Sequence, residues 1–231
     1  METHLTAYIL TVVKSSILIL STLFPIVNPL GGSPIFLNLT RDYSTETRTL
    51  LSRKIALNGF FVLIASMIIG THILAFFGIS LPVVQVGGGL LVITTAWAML
   101  SHPEEHSPVA KTKPQNLSRK DLSTKAFYPL TLPLTVGPGS ISVAITVGAN
   151  EHHTVGPDLA ALVSVVIGSA LVAITIYLSY RSAERMEELL GETAMNVILR
   201  LSSFILLCIG VQIVWNGVNG LLVAAGLATH T

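Results

Sequence analysis

The sequence predicts an all-α protein that spans a membrane six times, and its composition is the first observation behind this prediction. The 231 residues are 51% hydrophobic and only 11% charged, with a mean hydropathy of +0.72. A soluble domain carries roughly 25% charged residues. The lipid bilayer is therefore the expected surrounding. A net charge of +1 gives no indication of a nucleic-acid partner.

The second observation is a set of six apolar stretches, each long enough to cross a bilayer, which takes about 20 residues. The first has 27 residues, enough for a tilted, discontinuous crossing of ~40 Å. An alternative start near Ala7 would place Lys14 inside that span. The predicted transmembrane helices have the approximate bounds Lys14–Thr40, Ile55–Phe77, Leu81–Leu100, Ala126–Asn150, Leu159–Tyr180 and Val197–Ala225.

The third observation is the placement of positive charge between the spans. Twelve of the thirteen Lys and Arg residues lie in or beside the connections that follow spans one, three and five, and Lys14 is the exception. Because cytoplasmic loops carry the excess of Lys and Arg, these three connections are predicted to be cytoplasmic. Both termini are then predicted to lie outside the cytoplasm. No cleaved signal peptide is expected ahead of the first span.

The two halves of the chain share a plan that predicts an inverted repeat. Residues 1–100 and 126–231 each contain an interrupted span, an intact span and a third span that opens on small residues. Residues 101–125, with three prolines and five basic residues, are predicted to form a cytoplasmic linker between the halves. Three crossings is an odd number, so the second half would be inverted relative to the first, as in many secondary transporters.

Prolines and glycines interrupt spans one and four at corresponding places. Two prolines four residues apart open each interruption, and a cluster of Gly, Ser and another Pro follows, in residues 25–34 and in residues 129–140. Proline removes a backbone donor and clashes with the preceding turn, and in hydrocarbon each freed polar group needs a new partner. Interrupted backbone at this depth is therefore expected to be buried in protein or to line a wet cavity.

The interruptions supply candidate binding residues for a small zwitterion. Each leaves a downstream half-helix with unpaired N–H groups for a carboxylate, and an upstream half-helix with carbonyls for an ammonium. The sequence leaves open whether each residue contacts a ligand or only caps its own half-helix, and Asn28 has both options. The candidates are Asn28, Pro29, Gly31, Gly32, Ser33, Thr131, Pro133, Thr135, Gly137, Gly139 and Ser140.

Four further residues within the spans are candidates for a supporting role around the site: Gln85, Gly88, Gln212 and Asn216. Amide side chains at this depth are more typical of hydrogen bonds between helices than of ligand contacts. Gly88 is the middle of three consecutive glycines, a pattern that favours close helix packing over ligand binding. The single cysteine, Cys208, lies in an apolar run, which indicates a packing role.

With these motifs in view, the chain resembles the MarC family of bacterial and archaeal inner-membrane proteins. The resemblance rests on residues 24–36, 87–91 and 129–140, and it extends over essentially the whole chain. Its specific part is the pairing of Asn-Pro-Leu-Gly at residues 28–31 with Gly-Pro-Gly-Ser at residues 137–140. At residues 31 and 32 two glycines stand where many members have glycine then alanine. The family is related to LysE-type amino-acid exporters, and the resemblance implies a transporter of small neutral amino acids.

A channel and an intramembrane enzyme are the alternatives to a carrier. Asn28-Pro29-Leu30 resembles the Asn-Pro-Ala turns of aquaporins, which favours a channel for small polar solutes, but the second interruption has no asparagine. The six spans contain no Asp or Glu, and their one histidine, His72, lies near a span end. A nucleophilic serine would lack a base, so no enzyme is expected. No cofactor or metal site is predicted, and Na⁺ or H⁺ as a coupling ion is left open.

The sequence therefore predicts a secondary transporter in the bacterial or archaeal plasma membrane. It would move a small neutral solute such as glycine or alanine, bound between the two interruptions near the membrane midplane. The identity of the solute, the direction of transport and the oligomeric state do not follow from the sequence.

Overall fold

The computed structural model describes residues 2–101, 119–154 and 159–227. In these ranges every element is helical, which confirms the predicted all-α class. Nine elements follow one another along the chain: α1 Glu2–Val27, α2 Pro29–Leu39, α3 Thr45–Phe76, α4 Leu81–Ser101, α5 Arg119–Lys125, a π-helical segment Ala126–Thr135 (the π segment), α6 Pro138–Thr154, α7 Leu159–Arg181 and α8 Ala183–Ala224.

The described helices account for five or six membrane crossings. Five of them, α1, α3, α4, α7 and α8, are long and apolar enough to cross a bilayer singly. A sixth crossing results if residues 121–135 and 138–150 count as one span, which is bent by 71° at the break between them. Large apolar side chains such as Phe61, Trp97 and Trp215 are exposed on the outer surface, as expected where lipid replaces water.

The first span begins earlier than the preferred sequence interpretation placed it. The apolar part of α1 runs from Thr6 to Val27, so the start near Ala7 is the better one. Lys14 lies inside this span, on an exposed face of α1. The physical reason is that no helix-breaking residue precedes Pro25, so the helix continues through the segment that had been assigned to the interface.

The connection before the sixth span is helical. Residues 181–196 were predicted as a charged connection, but α8 begins at Ala183 and continues through them. The reason is local: residues 183–190 are rich in Ala, Glu, Met, Arg and Leu, which are strong helix formers. The helix departs from regular geometry only at Gly191, whose φ of 79° is a conformation that glycine adopts readily. Most of the predicted linker, residues 102–118, lies outside the described residues.

Close helix packing through glycine joins α4 to α8. A Cβ built on Gly89 would lie 3.0 Å from the carbonyl oxygen of Gly210, and one on Gly210 would lie 3.2 Å from the carbonyl of Gly89. Further along, a Cβ on Gly217 would lie 2.7 Å from the carbonyl of Pro82. Small residues at membrane helix interfaces allow such close approach of backbones. This is the helix-packing role that the glycine-rich start of α4 favours.

Candidate functional site

The first interruption is a single residue, Asn28, between α1 and α2. Its φ of 48° and ψ of 56° place it in the left-handed region, which asparagine tolerates better than most residues. Its Oδ1 accepts a hydrogen bond of 3.1 Å from the N–H of Gly31, so Asn28 is the N-cap of α2. Pro29 follows at the first helical position, where its missing N–H costs nothing.

Backbone hydrogen bonds continue across this interruption on both sides. The N–H of Asn28 donates to the carbonyl of Phe24, and the N–H of Gly32 donates to the carbonyl of Asn28, each at 2.9 Å. The hydroxyl of Ser33 is fully buried and donates to the carbonyl of Pro29 at 2.8 Å. The first interruption therefore satisfies most of its own polar groups. Nδ2 of Asn28 is the exception, a buried donor with no partner among the described residues.

The second interruption begins in the π segment, where proline disturbs the helix twice. Tyr128 and Leu132 have extended backbone angles, as expected for residues that precede Pro129 and Pro133. Two threonine hydroxyls supply donors to carbonyls five residues earlier. Thr131 Oγ1 donates to the carbonyl of Ala126 and Thr135 Oγ1 to that of Leu130, both at 2.7 Å. Hydroxyls are a common substitute for lost backbone donors inside membranes.

The chain then turns sharply at Val136 and Gly137 before α6 begins at Pro138. The turn is so tight that a Cβ on Gly137 would lie 2.9 Å from the carbonyl oxygen of Pro133. The N–H groups of Gly139 and Ser140 lie in the first turn of α6, where no intrahelical acceptor exists. These groups carry the positive end of the helix dipole, which favours a negatively charged ligand group.

A cavity of about 80 Å³ lies against this second turn. A single water needs only ~10–15 Å³ of such space, so the cavity has room for several waters or for one small solute. The hydroxyl of Ser140 borders it and has no hydrogen-bond partner among the described residues. Thr95, on the exposed side of α4, also borders it. The lining residues are Ile26, Val92, Thr95, Pro133, Leu134, Thr135, Gly137, Pro138, Gly139, Ser140 and Leu206.

The eleven predicted binding residues therefore divide by position. Five from the second interruption line the cavity, namely Pro133, Thr135, Gly137, Gly139 and Ser140. Thr131 is fully buried beside them and accepts a 3.4 Å hydrogen bond from Nδ2 of Asn58. The five candidates of the first interruption, Asn28, Pro29, Gly31, Gly32 and Ser33, are absent from the cavity lining. The end of α1 reaches the cavity only through Ile26.

Tyr180 on α7 connects the two interruptions, and sequence reasoning missed it. Its hydroxyl lies 2.9 Å from Thr135 Oγ1, and its ring stacks on Phe36 of α2 with centroids 4.6 Å apart. Because Thr135 has one hydroxyl hydrogen and donates it to Leu130, Tyr180 is the donor in this pair. A Cβ on Gly32 would lie 2.7 Å from the Tyr180 hydroxyl. In the sequence, a tyrosine near a span end is indistinguishable from an ordinary interfacial tyrosine.

The four predicted supporting residues lie around the bundle and not on the cavity surface. Gln212 Nε2 donates to Asn216 Oδ1 at 2.9 Å, one turn along α8, and both side chains are exposed. Gln85 is half-buried on α4. Gly88 is buried against Ser142 of α6, whose hydroxyl donates to the carbonyl of Val84 at 2.8 Å.

The described side chains offer no metal centre. Within that part of the chain, no three His, Cys, Asp or Glu residues lie close enough together to hold a metal ion. The polar groups around the cavity are hydroxyls, backbone N–H groups and carbonyls, which suit an uncharged or zwitterionic guest.

Comparison with known proteins gives a consistent result. Residues 13–222 match the model of the MarC family integral membrane proteins. The membrane protein YvbG of Bacillus subtilis is 30% identical over 87% of this chain and 92% of its own length. Membrane protein MJ1677 of Methanocaldococcus jannaschii is 31% identical over 89% and 97%, respectively. The inner membrane protein MarC of Citrobacter koseri is 32% identical over 86% and 91%.

No solved structure matches the chain. The family match includes both interruptions, the cavity residues and most of every span, and the relatives align over nearly their full length. The expected resemblance is confirmed, and the chain belongs to the MarC family of integral membrane proteins.

Proposed function

We propose that this protein is a secondary transporter of a small neutral solute, such as glycine or alanine, and that the solute binds in the cavity at the second interruption. The observation that supports this most is the first turn of α6. There a free serine hydroxyl, unpaired N–H groups and a positive helix end border a cavity of about 80 Å³. Interrupted helices with such exposed backbone groups are typical of transporter binding sites.

The chemistry of the cavity suits a zwitterion with a small side chain. Its carboxylate would accept hydrogen bonds from the N–H groups of Gly139 and Ser140 and from the Ser140 hydroxyl. Its ammonium would donate to the carbonyl of Leu134, a lining residue that loses its helical donor because residue 138 is proline. The remaining walls, Ile26, Val92 and Leu206, are apolar and close-packed. They would accept hydrogen or a methyl group and reject a large side chain.

The packing of the helices supports an arrangement of two inverted repeats. In such an arrangement α1 corresponds to the π segment, α2 to α6, α3 to α7 and α4 to α8. The main contacts between helices are the same when each element is replaced by its counterpart. Helix α4 packs on α8, and α3 packs on α7. The contact between α2 and α8 corresponds to the contact between α6 and α4. The contact between α1 and α7 corresponds to the contact between the π segment and α3. A pseudo-twofold relation of this kind allows the halves to alternate access to one site.

The ion pairs support the proposed orientation, with both termini outside the cytoplasm of a bacterial or archaeal cell. Arg41 pairs with Glu187 at 3.2 Å and Arg48 with Glu184 at 2.8 Å, so the first and fifth connections meet. Lys54 donates to Ser123 at 2.7 Å, which brings the third connection to the same end of the bundle. The described parts of all three basic connections thus share one face, and the positive-inside rule assigns that face to the cytoplasm.

Solute counterflow in proteoliposomes tests the proposal directly. Vesicles with the purified full-length protein are loaded with unlabelled glycine or alanine and diluted into the labelled amino acid, with and without Na⁺ and H⁺ gradients. A carrier gives transient labelled uptake above equilibrium that saturates with concentration. Flux that does not saturate and shows no counterflow would favour the channel alternative. No flux of any small neutral amino acid would contradict the proposed substrate class.

A further inference from the structure

A second, larger concavity of about 480 Å³ lies between α3 and α7, apart from the cavity at the second interruption. Its floor is built from three alanines, Ala56, Ala170 and Ala173. Its sides include the exposed side chains of Leu57 and Ile174. Because these residues lie on the outer surface of a membrane protein, this α3–α7 groove is open to lipid.

The two helices of the groove run antiparallel, which brings two arginines to the same end. Arg48 near the start of α3 pairs with Glu184 just beyond the end of α7, whereas Gly59 packs against Ile176. Arg53 lines the groove from α3, and Tyr177 lines it from α7. Arg181 lies one turn beyond Tyr177 and donates to its hydroxyl at 2.8 Å, with the guanidinium 5.6 Å from the ring centroid.

Arg53 and Arg181 differ from Arg41 and Arg48 in lacking a carboxylate partner among the described side chains. Arg41 and Arg48, at the same end of the bundle, are neutralised by Glu187 and Glu184. Within the described part of the chain, Arg53 and Arg181 have no acidic partner within 4 Å. One unneutralised guanidinium lines the groove and the other contacts the lining Tyr177, so together they give this end a local positive charge, and their planar donors suit the oxygens of a phosphate.

The depth of these arginines matches the headgroup layer. Helix α3 has 32 residues, whereas the hydrocarbon core needs about 20, and counting back that many from Phe76 reaches Leu57. Arg53 lies about one turn further out. Arg181 is the last residue of α7, so it also lies at the membrane boundary. The apolar floor of the groove therefore faces acyl chains while its arginines face headgroups.

We propose that the α3–α7 groove binds an anionic phospholipid. One acyl chain lies along the alanine floor, and the headgroup phosphate lies between Arg53 and Arg181. The Tyr177 hydroxyl accepts from Arg181 and keeps its own hydrogen to donate to a phosphate oxygen. The volume of the groove falls within the ~300–1,000 Å³ of sites for small ligands. Every phospholipid has acyl chains, so selectivity comes from the two arginines.

Native mass spectrometry of the full-length protein in mild detergent tests this site. Added dioleoyl phosphatidylglycerol is compared with dioleoyl phosphatidylcholine, which has identical acyl chains. We expect the anionic lipid to bind more tightly. In the double variant Arg53→Gln/Arg181→Gln, we expect the affinity for the anionic lipid to fall roughly 25-fold, about fivefold for each arginine. Binding of the zwitterionic lipid should not change.

Two further variants separate a specific site from general surface charge. Arg185→Gln/Arg200→Gln removes from α8 two positive charges that are unpaired among the described residues and lie outside the groove lining, and should retain anionic lipid. Ala173→Leu fills the floor without changing charge and should weaken both lipids. Equal binding of the two lipids by the unmodified protein, or equal loss in both arginine pairs, would overturn the proposal. So would a dimer that Ala173→Leu dissociates, because the groove would then be an interface between copies of this chain.

Discussion

The two interruptions start from similar sequences and end in different local structures. Both begin with prolines four residues apart and continue into Gly, Ser and Pro. In the first, Asn28 caps α2 and Ser33 donates back to its own helix, so little polar backbone remains for a ligand. In the second, no asparagine caps α6, and Ser140 borders a cavity. The difference indicates that the capping residue, more than the prolines, decides how many polar groups an interrupted helix leaves without a partner.

The largest expected effect is closure of the cavity at the second interruption. Thr95→Trp places an indole at a cavity of about 80 Å³. Overpacking costs up to ~3 kcal/mol, which weakens a binding equilibrium about 100-fold. We therefore expect solute flux to fall about 100-fold. Initial rates of uptake into proteoliposomes measure the change.

Thr94→Trp is the matched control for this prediction. Thr94 precedes Thr95, is also exposed, and also donates to the carbonyl of Leu91, but it does not line the cavity. Its flux should remain within about twofold of the unmodified protein. Equal loss of flux in both variants, with normal amounts in the membrane, would show that the solute does not pass through this cavity.

The second prediction compares one serine from each interruption. Ser140→Ala removes a hydroxyl that has no partner among the described residues. We expect about tenfold weaker apparent solute affinity, as for loss of a ~1.5 kcal/mol hydrogen bond to a charged group. Ser33→Ala removes a buried hydroxyl that bonds only its own helix, so affinity should be unchanged and stability reduced by about 1 kcal/mol. The reverse result would assign the ligand to the first interruption.

The all-α class and the number of apolar spans, five or six, could be predicted from the sequence because they depend on local physics. Apolar length sets a crossing, and prolines in an apolar stretch break a helix wherever the rest of the chain lies. The prolines of residues 25–34 and 129–140 can therefore be recognised as helix-breaking without knowledge of the rest of the structure. The start of α1 was misplaced because a single charge, Lys14, was weighted above the uninterrupted helical sequence around it.

The difference between the interruptions depends on contacts that local sequence does not contain. The side chain of Asn28 can either cap a helix or contact a ligand, and the sequence does not decide between these roles. The structure does, because the left-handed backbone of Asn28 lets its Oδ1 accept a hydrogen bond from the N–H of Gly31. Tyr180 lies 45 residues from Thr135 along the chain, and no sequence pattern joins them. The cavity likewise needs Val92 and Leu206 from two other helices. Tertiary packing of this kind is what single-sequence reasoning leaves undetermined.

The third prediction tests the cap that closes the first interruption. Asn28→Ala removes the hydrogen bond to Gly31 and places alanine at positive φ, which together cost about 2 kcal/mol. Asn28→Gly also loses the cap but tolerates the backbone, so its cost should be only a few tenths of a kcal/mol. For a chain of this size, the thermal midpoint in detergent should fall about 4–8 °C for alanine. Equal midpoints for the two variants would contradict the role of the left-handed backbone.

The last prediction concerns Tyr180, through which the two interruptions interact. A Cβ at Gly32 would lie 2.7 Å from the Tyr180 hydroxyl but 3.4 Å from the nearest ring carbon, which is ordinary contact. Gly32→Ala should therefore destabilise the protein by about 1–3 kcal/mol while the hydroxyl is present. In a Tyr180→Phe background the same change should cost less than ~0.5 kcal/mol, because the obstructing atom is gone.

A double-mutant cycle on thermal unfolding measures this coupling, which we expect to be about 1 kcal/mol or more. Tyr180→Phe alone should cost about 1 kcal/mol, the net value of the hydrogen bond to Thr135. Additive effects would mean that the first interruption relaxes away from Tyr180 without disturbing the second. A coupled result would mean that a side chain at residue 32 repositions Tyr180. The capped interruption would then adjust the open one at Thr135, on the wall of the cavity.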